Sequence, residues 1–142
     1  LKMGNTIEKA LVLKQGKVNG KLTRLLVSTS GKLFKVVRMM PGKTRACISK
    51  TMDPLQYKPG IDLLVEVKPC YNRCGYQQVH VSFTDGSHTT VQVGRLVLET
   101  FVSIPSGGER LDCNHKDWNR SNNDLSNLEW MTHKDNSGYH RS

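Results

Sequence analysis

The sequence predicts an α+β fold, in which an antiparallel, β-rich N-terminal region precedes a short strand–strand–helix motif near the C-terminus. Two apolar segments flank Asn19-Gly20, the favoured two-residue turn of a β-hairpin. A second pair of β-branched segments flanks the turn at residues 85–87, and segment 95–101 then has helical spacing of its apolar residues. We therefore expect a basic β-rich region at residues 1–74 and a module of hairpin, helix and C-terminal motif at residues 75–142.

The spacing of apolar residues divides the N-terminal region into several strands. A hairpin is expected over residues 11–28, and the alternating segment 32–38 predicts a third strand of the same ribbon. Two Pro-Gly pairs then delimit a loop with one short strand near residues 46–48, and residues 62–67 predict a further strand.

The net charge of +9 is concentrated in the first part of the chain. Residues 1–58 contain 13 Lys and Arg against two acidic residues, a net of +11, whereas residues 59–142 contain 8 basic and 10 acidic residues, a net of −2. A basic region beside a near-neutral one indicates that the protein binds a polyanion, and a solvated basic face is the alternative. The side chains expected to contact nucleic acid in this region are Lys32, Lys35, Arg38, Lys43 and Arg45.

Composition argues against a membrane or secreted protein. No apolar run reaches the length of a membrane span, and no signal-peptide pattern opens the chain. The four cysteines, Cys47, Cys70, Cys74 and Cys113, have irregular spacing that does not describe a disulfide framework. We therefore expect a reducing, intracellular setting and no membrane partner.

The most informative stretch is residues 112–136, where one histidine lies among an unusual number of asparagines. Asn forms turns, caps helices and offers a neutral oxygen ligand, but it packs poorly in a core. Its density at fixed offsets from His115 indicates loop geometry built around a site. An apolar strand at residues 128–131 follows, and Thr132 with Asp135 predicts a capping box at the start of a short helix.

This stretch resembles the motif of the HNH endonuclease family, and most closely the phage and intron-encoded HNH homing endonucleases. The strong match covers about 25 residues in register, which makes it far more specific than a short motif. The matching positions are His115, Asp117, Asn119, Asn122, Asn123, Asn127, Leu128, Glu129, Trp130, Thr132 and Asn136. The resemblance implies a ββα-metal nuclease motif, in which two strands and a helix present one metal ion and one general base to a phosphodiester bond.

The resemblance also implies roles for individual residues. His115 is the expected general base, a role that suits imidazole near neutral pH. Asn114 and Asn136 match the family's metal-ligand positions, with Mg²⁺ as the expected divalent cation and Mn²⁺ as the alternative. Asn127 joins the catalytic set by bracing the histidine loop through backbone hydrogen bonds. Structural support is expected from Asp117, Asn119, Asn123, Trp130 and Thr132.

Two residues depart from the family pattern. Asn114 occupies a position where family members often carry Asp, and a neutral amide oxygen holds a hard cation less tightly than a carboxylate. Trp118 occupies the usual Gly position of the turn, although Trp tolerates positive φ poorly. Its ring can instead lie against a sugar or base, so Trp118 and Arg120 join the expected DNA-contacting residues.

These features predict a metal-dependent, homing-endonuclease-like HNH DNA endonuclease that nicks one strand of double-stranded DNA as a monomer. A cytoplasmic location is expected, in the host cytoplasm if the protein is phage-encoded. Two other functions stay open: a catalytically decayed HNH-type nucleic-acid-binding module, motivated by Asn114, and an RNA-binding protein. A structural zinc is a further alternative that ligand spacing disfavours; its ligands would be Cys70, Cys74, Cys113 and His115.

Overall fold

The computed structural model describes residues 12–40, 48–58, 60–105 and 111–133. Within these ranges the chain forms strands, one α-helix and two short 3-10 helices, at Pro54–Gln56 and Leu125–Asn127. The strands and the helix, in chain order, are β1 Leu13–Val18, β2 Lys21–Ser28, β3 Leu33–Met40, β4 Ile48–Met52, β5 Asp62–Val67, β6 Cys70–Tyr71, β7 Gln77–Ser82, β8 His88–Gln92, α1 Val93–Phe101, β9 Leu111–His115 and β10 Leu128–Thr132. The predicted α+β class, with antiparallel strands and a helix, is confirmed.

The first five strands form one antiparallel sheet. Its order is β1-β2-β3-β4, and β5 pairs with β3. The β1–β2 hairpin closes at Asn19 and Gly20, whose φ angles of 51° and 81° are those of a type I′ turn. Because this turn matches the natural twist of two strands, the Asn-Gly pair sets the register Val18 opposite Lys21. The expected hairpin is confirmed in the described residues.

A second, three-stranded sheet has the order β6-β7-β8 and leads directly into the helix. The β7–β8 hairpin turns at residues 83–87, as the sequence predicts, and α1 begins at Val93 immediately after β8. An isolated antiparallel bridge between Thr23 and Phe83 joins this sheet to the first one. The strands β9 and β10 then form a separate antiparallel pair beside α1.

One apolar core connects both sheets, the helix and the β9–β10 pair. The buried side chains Val27 and Leu33 of the first sheet belong to the same cluster as Val81, Leu96 and Leu128. A smaller cluster on the other face of the first sheet contains Leu26, Phe34, Val36 and Met52. The two sequence segments on either side of residue 74 thus share side-chain packing, and their division into separate domains stays a prediction.

Some sequence-based expectations lie outside the described residues. They concern Lys43, Arg45 and the helix expected to carry Asn136; His133 is the last described residue of that stretch. Within the described residues, no helix has the length and apolar character needed to cross a bilayer.

Candidate active site

The β9–β10 pair brings the two central site residues to the end of one strand. Asn114 and His115 are the last residues of β9, and they lie opposite Glu129 and Leu128 of β10. The chain that joins these strands, residues 116–127, turns back over the site. Antiparallel pairing therefore places Asn114 beside Glu129 and His115 beside Leu128, and the His115 imidazole lies against Gly94 at the start of α1.

Asn127 braces the connecting loop through its backbone and its side chain. Its carbonyl accepts a hydrogen bond from the Lys116 amide at 2.8 Å, and its Oδ1 accepts one from the Asp117 amide at 3.0 Å. Its Nδ2 donates to Asp117 Oδ1 and to the Asn122 carbonyl, each at 2.9 Å. With its amide engaged on both sides, Asn127 fixes the loop and is not placed to act on a substrate.

Asp117 is the second anchor of this loop. The pKa of its carboxyl is lowered, first because Asn122 Nδ2 donates to it and then because the Asn119 amide does so. Asn119 in turn accepts from the Ser121 amide at 3.0 Å, which forms a second local turn. These turns explain the number of Asn and Asp residues in the loop, since their short side chains bond to amides two residues ahead.

Trp118 adopts the left-handed conformation that the family's glycine would adopt freely. Its φ is 64°, and its side chain is 49% exposed. A side chain larger than hydrogen costs on the order of 1–2 kcal/mol in this conformation. The turn therefore keeps its geometry despite the substitution, and it directs a large aromatic ring toward solvent beside the site.

His115 is buried and is held by a chain of two side-chain amides. Its Nε2 lies 2.8 Å from Asn123 Oδ1, and Asn123 Nδ2 donates to Gln77 Oε1 of β7 at 2.9 Å. Because a carbonyl oxygen can only accept, Nε2 carries a proton and donates it. In the neutral imidazole Nδ1 is therefore the nitrogen with a lone pair. The Tyr76 ring, 5.8 Å away between centroids, covers the imidazole from the side.

Gly94 of α1 allows this close packing. A Cβ at position 94 would lie 3.1 Å from His115 Nε2 and 3.0 Å from Asn123 Oδ1. Any side chain at this position would therefore press on the His115–Asn123 hydrogen bond. The start of α1 thus helps to determine the position of the imidazole.

Asn114 presents a buried oxygen that has no hydrogen-bond partner among the described residues. Its side chain is 1% exposed, and its Nδ2 donates to Glu129 Oε2 at 2.9 Å. Its Oδ1 is buried and accepts no hydrogen bond from any described residue. A buried unsatisfied oxygen costs about 1–3 kcal/mol unless a ligand engages it. Because amide oxygens are ligands for hard divalent cations, this atom fits the predicted role of Asn114.

The described residues do not support the zinc alternative. They contain no group of three or more His, Cys, Asp or Glu side chains arranged to hold a metal ion. Burial raises the pKa of the Cys113 thiol to about 12. Cys70 and Cys74 are free and exposed.

The basic residues predicted to contact DNA have different environments. Lys32 is exposed and Lys35 is half-buried on the first sheet. The Arg38 guanidinium instead donates to both carboxylate oxygens of Asp62, at 2.7 and 2.8 Å, and to the Gln56 carbonyl. It therefore ties β3 to β5 and is already engaged within the protein.

Two further predicted residues make contacts near the site. The Arg120 guanidinium lies 4.7 Å from the centre of the Tyr76 ring, and it donates to the Cys74 carbonyl. Trp130 Nε1 donates to the Val102 carbonyl at 3.1 Å, which joins β10 to the end of α1. Thr132 ends β10 opposite Leu111, and its expected cap involves residues outside the described ranges.

Sequence reasoning assigned no role to three residues that surround the site. Glu129 was part of the matched motif, but only strand pairing places it beside Asn114. Gln77 and Tyr76 reach the site from a different sheet, 38 or more positions earlier in the chain. The sequence carries no local signal for these contacts, because they depend on how the two sheets pack.

Comparisons with known proteins find similarity over α1 and the β9–β10 pair. The family model described as HNH endonuclease matches residues 93–137. The uncharacterized HNH endonuclease L245 of Acanthamoeba polyphaga mimivirus is 35% identical over 74 residues, which are 52% of this chain and 22% of that protein. This chain therefore spans about a fifth of that relative's length.

A solved structure is also similar. The match is to a structure titled DNA binding and cleavage by the HNH homing endonuclease I-HmuI, with a TM-score of 0.53 and 25% sequence identity. The aligned region covers 88% of this chain and 56% of that chain. The likeness thus extends beyond the β9–β10 pair to most of the β-rich region.

Proposed function

We propose that this chain is the nuclease part of a homing-endonuclease-like enzyme, since residues 93–137 match the HNH endonuclease family model. The reaction is hydrolysis of a phosphodiester bond in double-stranded DNA to 5′-phosphate and 3′-hydroxyl ends. The observation that carries the proposal is the pairing of an oriented imidazole, His115, with the buried unpartnered oxygen of Asn114. The same two neighbouring residues thus offer a base and a cation ligand.

His115 acts as the general base through Nδ1. The Nε2–H bond to Asn123 holds the ring in one orientation and leaves Nδ1 to take a proton from the attacking water. As the imidazole becomes positive, the Asn123 carbonyl stabilises the N–H that faces it, and Gln77 holds the amide in place. Asn127 and Asp117 keep the loop that carries these residues closed.

A divalent cation, Mg²⁺ or Mn²⁺, completes the proposed site. Asn114 Oδ1 and the side chain of Asn136 would hold it, together with the substrate phosphate. When bound, it neutralises negative charge as it develops on the phosphate and on the 3′ leaving oxygen.

DNA contact is proposed for basic residues of the N-terminal region and for the loop beside the site. Lys32 and Lys35 would contact backbone phosphates, as would Lys43 and Arg45. Trp118 would contribute its exposed ring to a sugar or base. The proposal does not use Arg38, since Asp62 already neutralises its charge. With one site per chain, a monomer nicks one strand.

A nicking assay tests this function. Supercoiled plasmid with Mg²⁺ or Mn²⁺ should give nicked circles, and His115→Ala should slow nicking by about 10²–10⁴-fold because the base is lost. His80→Ala is the matched control, since His80 is exposed on β7 and lies beside Thr90 and His88, away from the site. It should nick like the wild type.

The alternatives give different results. The catalytically decayed binding module, which the neutral Asn114 motivates, would shift DNA on a gel while the wild type and His115→Ala both fail to nick. In a binding competition between structured RNA and duplex DNA, a preference for the RNA would exclude double-stranded DNA as the substrate.

A further inference from the structure

We propose that Glu129 is a functional part of the cation site and supplies the negative charge that Asn114 lacks. In this arrangement Asn114 contributes the oxygen ligand, and Glu129 contributes the charge from the neighbouring strand. The inference rests on the proposed nuclease function and extends it to a residue that the motif resemblance left without a role.

Strand pairing brings the two residues together. Asn114 of β9 and Glu129 of β10 are direct cross-strand partners, so their side chains emerge on the same face of the strand pair. The Asn114 Nδ2 donates to Glu129 Oε2 at 2.9 Å. This bond selects one of the two orientations of the amide, because an amide turned by 180° would direct its oxygen at the carboxylate. Glu129 therefore determines where Asn114 Oδ1 points.

The orientation has a consequence for the oxygen. Asn114 is 1% exposed, and its Oδ1 accepts no hydrogen bond from any described residue. Burying a polar atom without a partner is unfavourable, so such an atom in a folded protein calls for a partner such as an ordered water or an ion. Glu129 holds the amide in the orientation that leaves this oxygen for a cation.

Charge gives the second reason. A neutral amide such as that of Asn114 would bind a divalent cation weakly, because hard cations are held chiefly by carboxylates. The Glu129 carboxylate accepts a hydrogen bond from the same Asn114 amide that carries the ligand oxygen. A carboxylate that bonds to a metal ligand typically changes metal affinity by 10–100-fold. The Asn114–Glu129 pair thus places one negative charge at the site although position 114 is neutral.

Direct measurement of Mn²⁺ binding tests the inference. Mn²⁺ titration of the full chain, followed by electron paramagnetic resonance, reports the affinity without requiring turnover. Glu129→Gln keeps an oxygen that accepts from Asn114 Nδ2 but removes the charge, and it should weaken Mn²⁺ binding by about 10–100-fold. Glu66→Gln is the matched control, because Glu66 lies on β5 in an exposed pair with Lys68 and its substitution changes the net charge equally. It should bind Mn²⁺ like the wild type.

A second variant moves the negative charge from β10 to β9. The double variant Asn114→Asp with Glu129→Gln moves the carboxylate to position 114 and should recover the Mn²⁺ affinity lost in Glu129→Gln. Circular dichroism confirms that each variant is folded. A double variant that stays as weak as Glu129→Gln would overturn the role of charge.

The results separate this inference from the proposed function. If the wild type binds Mn²⁺ and nicks DNA while Glu129→Gln binds Mn²⁺ as tightly as Glu66→Gln, the role of Glu129 is refuted and the nuclease stands. If the wild type neither binds Mn²⁺ nor nicks DNA, both proposals are refuted together.

Discussion

Trp118 shows at the scale of one residue how the site loop tolerates a departure from the family pattern. The bracing bonds of Asp117, Asn119 and Asn127 fix the chain on either side of it. These bonds hold Trp118 at a φ of 64° although its side chain disfavours that conformation. The strain is local, and the rest of the loop offsets it.

At position 118 glycine should therefore give a more stable protein than alanine. Trp118→Gly is expected to raise the free energy of unfolding by about 1 kcal/mol relative to Trp118→Ala, because glycine adopts positive φ without a steric penalty. Urea denaturation of the two variants measures the difference. Both variants lose the indole, so both should bind DNA more weakly than the wild type if the ring contacts nucleic acid. Equal stabilities would show that the turn is not strained.

The amide chain behind His115 gives a second prediction at this scale. Gln77→Leu removes the acceptor of Asn123 Nδ2, so Asn123 can turn and the imidazole loses its fixed orientation. Nicking at saturating DNA should fall about tenfold, since small misplacements of a catalytic group are costly, while DNA affinity is unchanged. Gln78→Leu is the control, because Gln78 is the next residue of β7 and points to the other face of the strand. A similar loss of rate in both variants would contradict the role of Gln77.

At the scale of secondary-structure elements, the Arg38–Asp62 pair joins β3 to β5. Asp62 is buried, and the pKa of its carboxyl is lowered, first because Arg38 donates two hydrogen bonds to it and also because the Lys58 amide donates one. A carboxyl with a lowered folded-state pKa stabilises the fold above its unfolded-state pKa of about 3.9. That contribution is lost as the pH falls through the lower, folded-state pKa.

Asp62→Asn should consequently show a pH-dependent loss of stability. The variant should melt at a lower temperature than the wild type at pH 7, because Arg38 then lacks its charge partner. The difference should begin to shrink as the pH falls below about 4, where the unfolded chain takes up a proton, and it should disappear below the lower, folded-state pKa of Asp62. Thermal melts followed by circular dichroism at pH 7 and below pH 4 measure the difference in melting temperature. A difference that stays constant with pH would show that the Arg38–Asp62 pair is not its source.

Elements with local signals could be predicted from the sequence, and those that depend on distant pairing could not. Asn19-Gly20 has the turn chemistry of a hairpin, and the observed strands follow. The strand expected near residues 46–48 lies partly outside the described residues, and the described strand Ile48–Met52 pairs with β3. The helix expected from Arg95 begins at Val93. The sequence does not indicate this earlier start, because Gly94 is a poor helix former. Glycine is present there because His115 approaches closely.

The candidate site shows the same division. His115, Asn114 and Asn127 could be found because their spacing lies within a short stretch of sequence. The links from Asn123 to Gln77 and from Asn114 to Glu129 required the packing of separate strands.

At the scale of the whole molecule, the lysines at the start of β3, Lys32 and Lys35, should control how salt affects DNA binding. Each phosphate contact that is lost reduces the slope of log affinity against log salt by about 1. Replacing Lys32 and Lys35 together by Ala should therefore lower the slope by about 2. Gel-shift titrations at several salt concentrations measure it. An unchanged slope would show that Lys32 and Lys35 do not contact DNA.

The site loop is also bonded to the sheet that is proposed to hold DNA. The Leu125 amide donates to the Thr29 carbonyl at 2.7 Å, in the turn between β2 and β3 that precedes Lys32. This bond therefore fixes the distance between the DNA phosphates that the sheet is proposed to contact and the phosphate that is to be cleaved. On any duplex, the cut should therefore lie at a constant number of base pairs from the segment that the sheet contacts. Lengthening the turn between β2 and β3 should change that number.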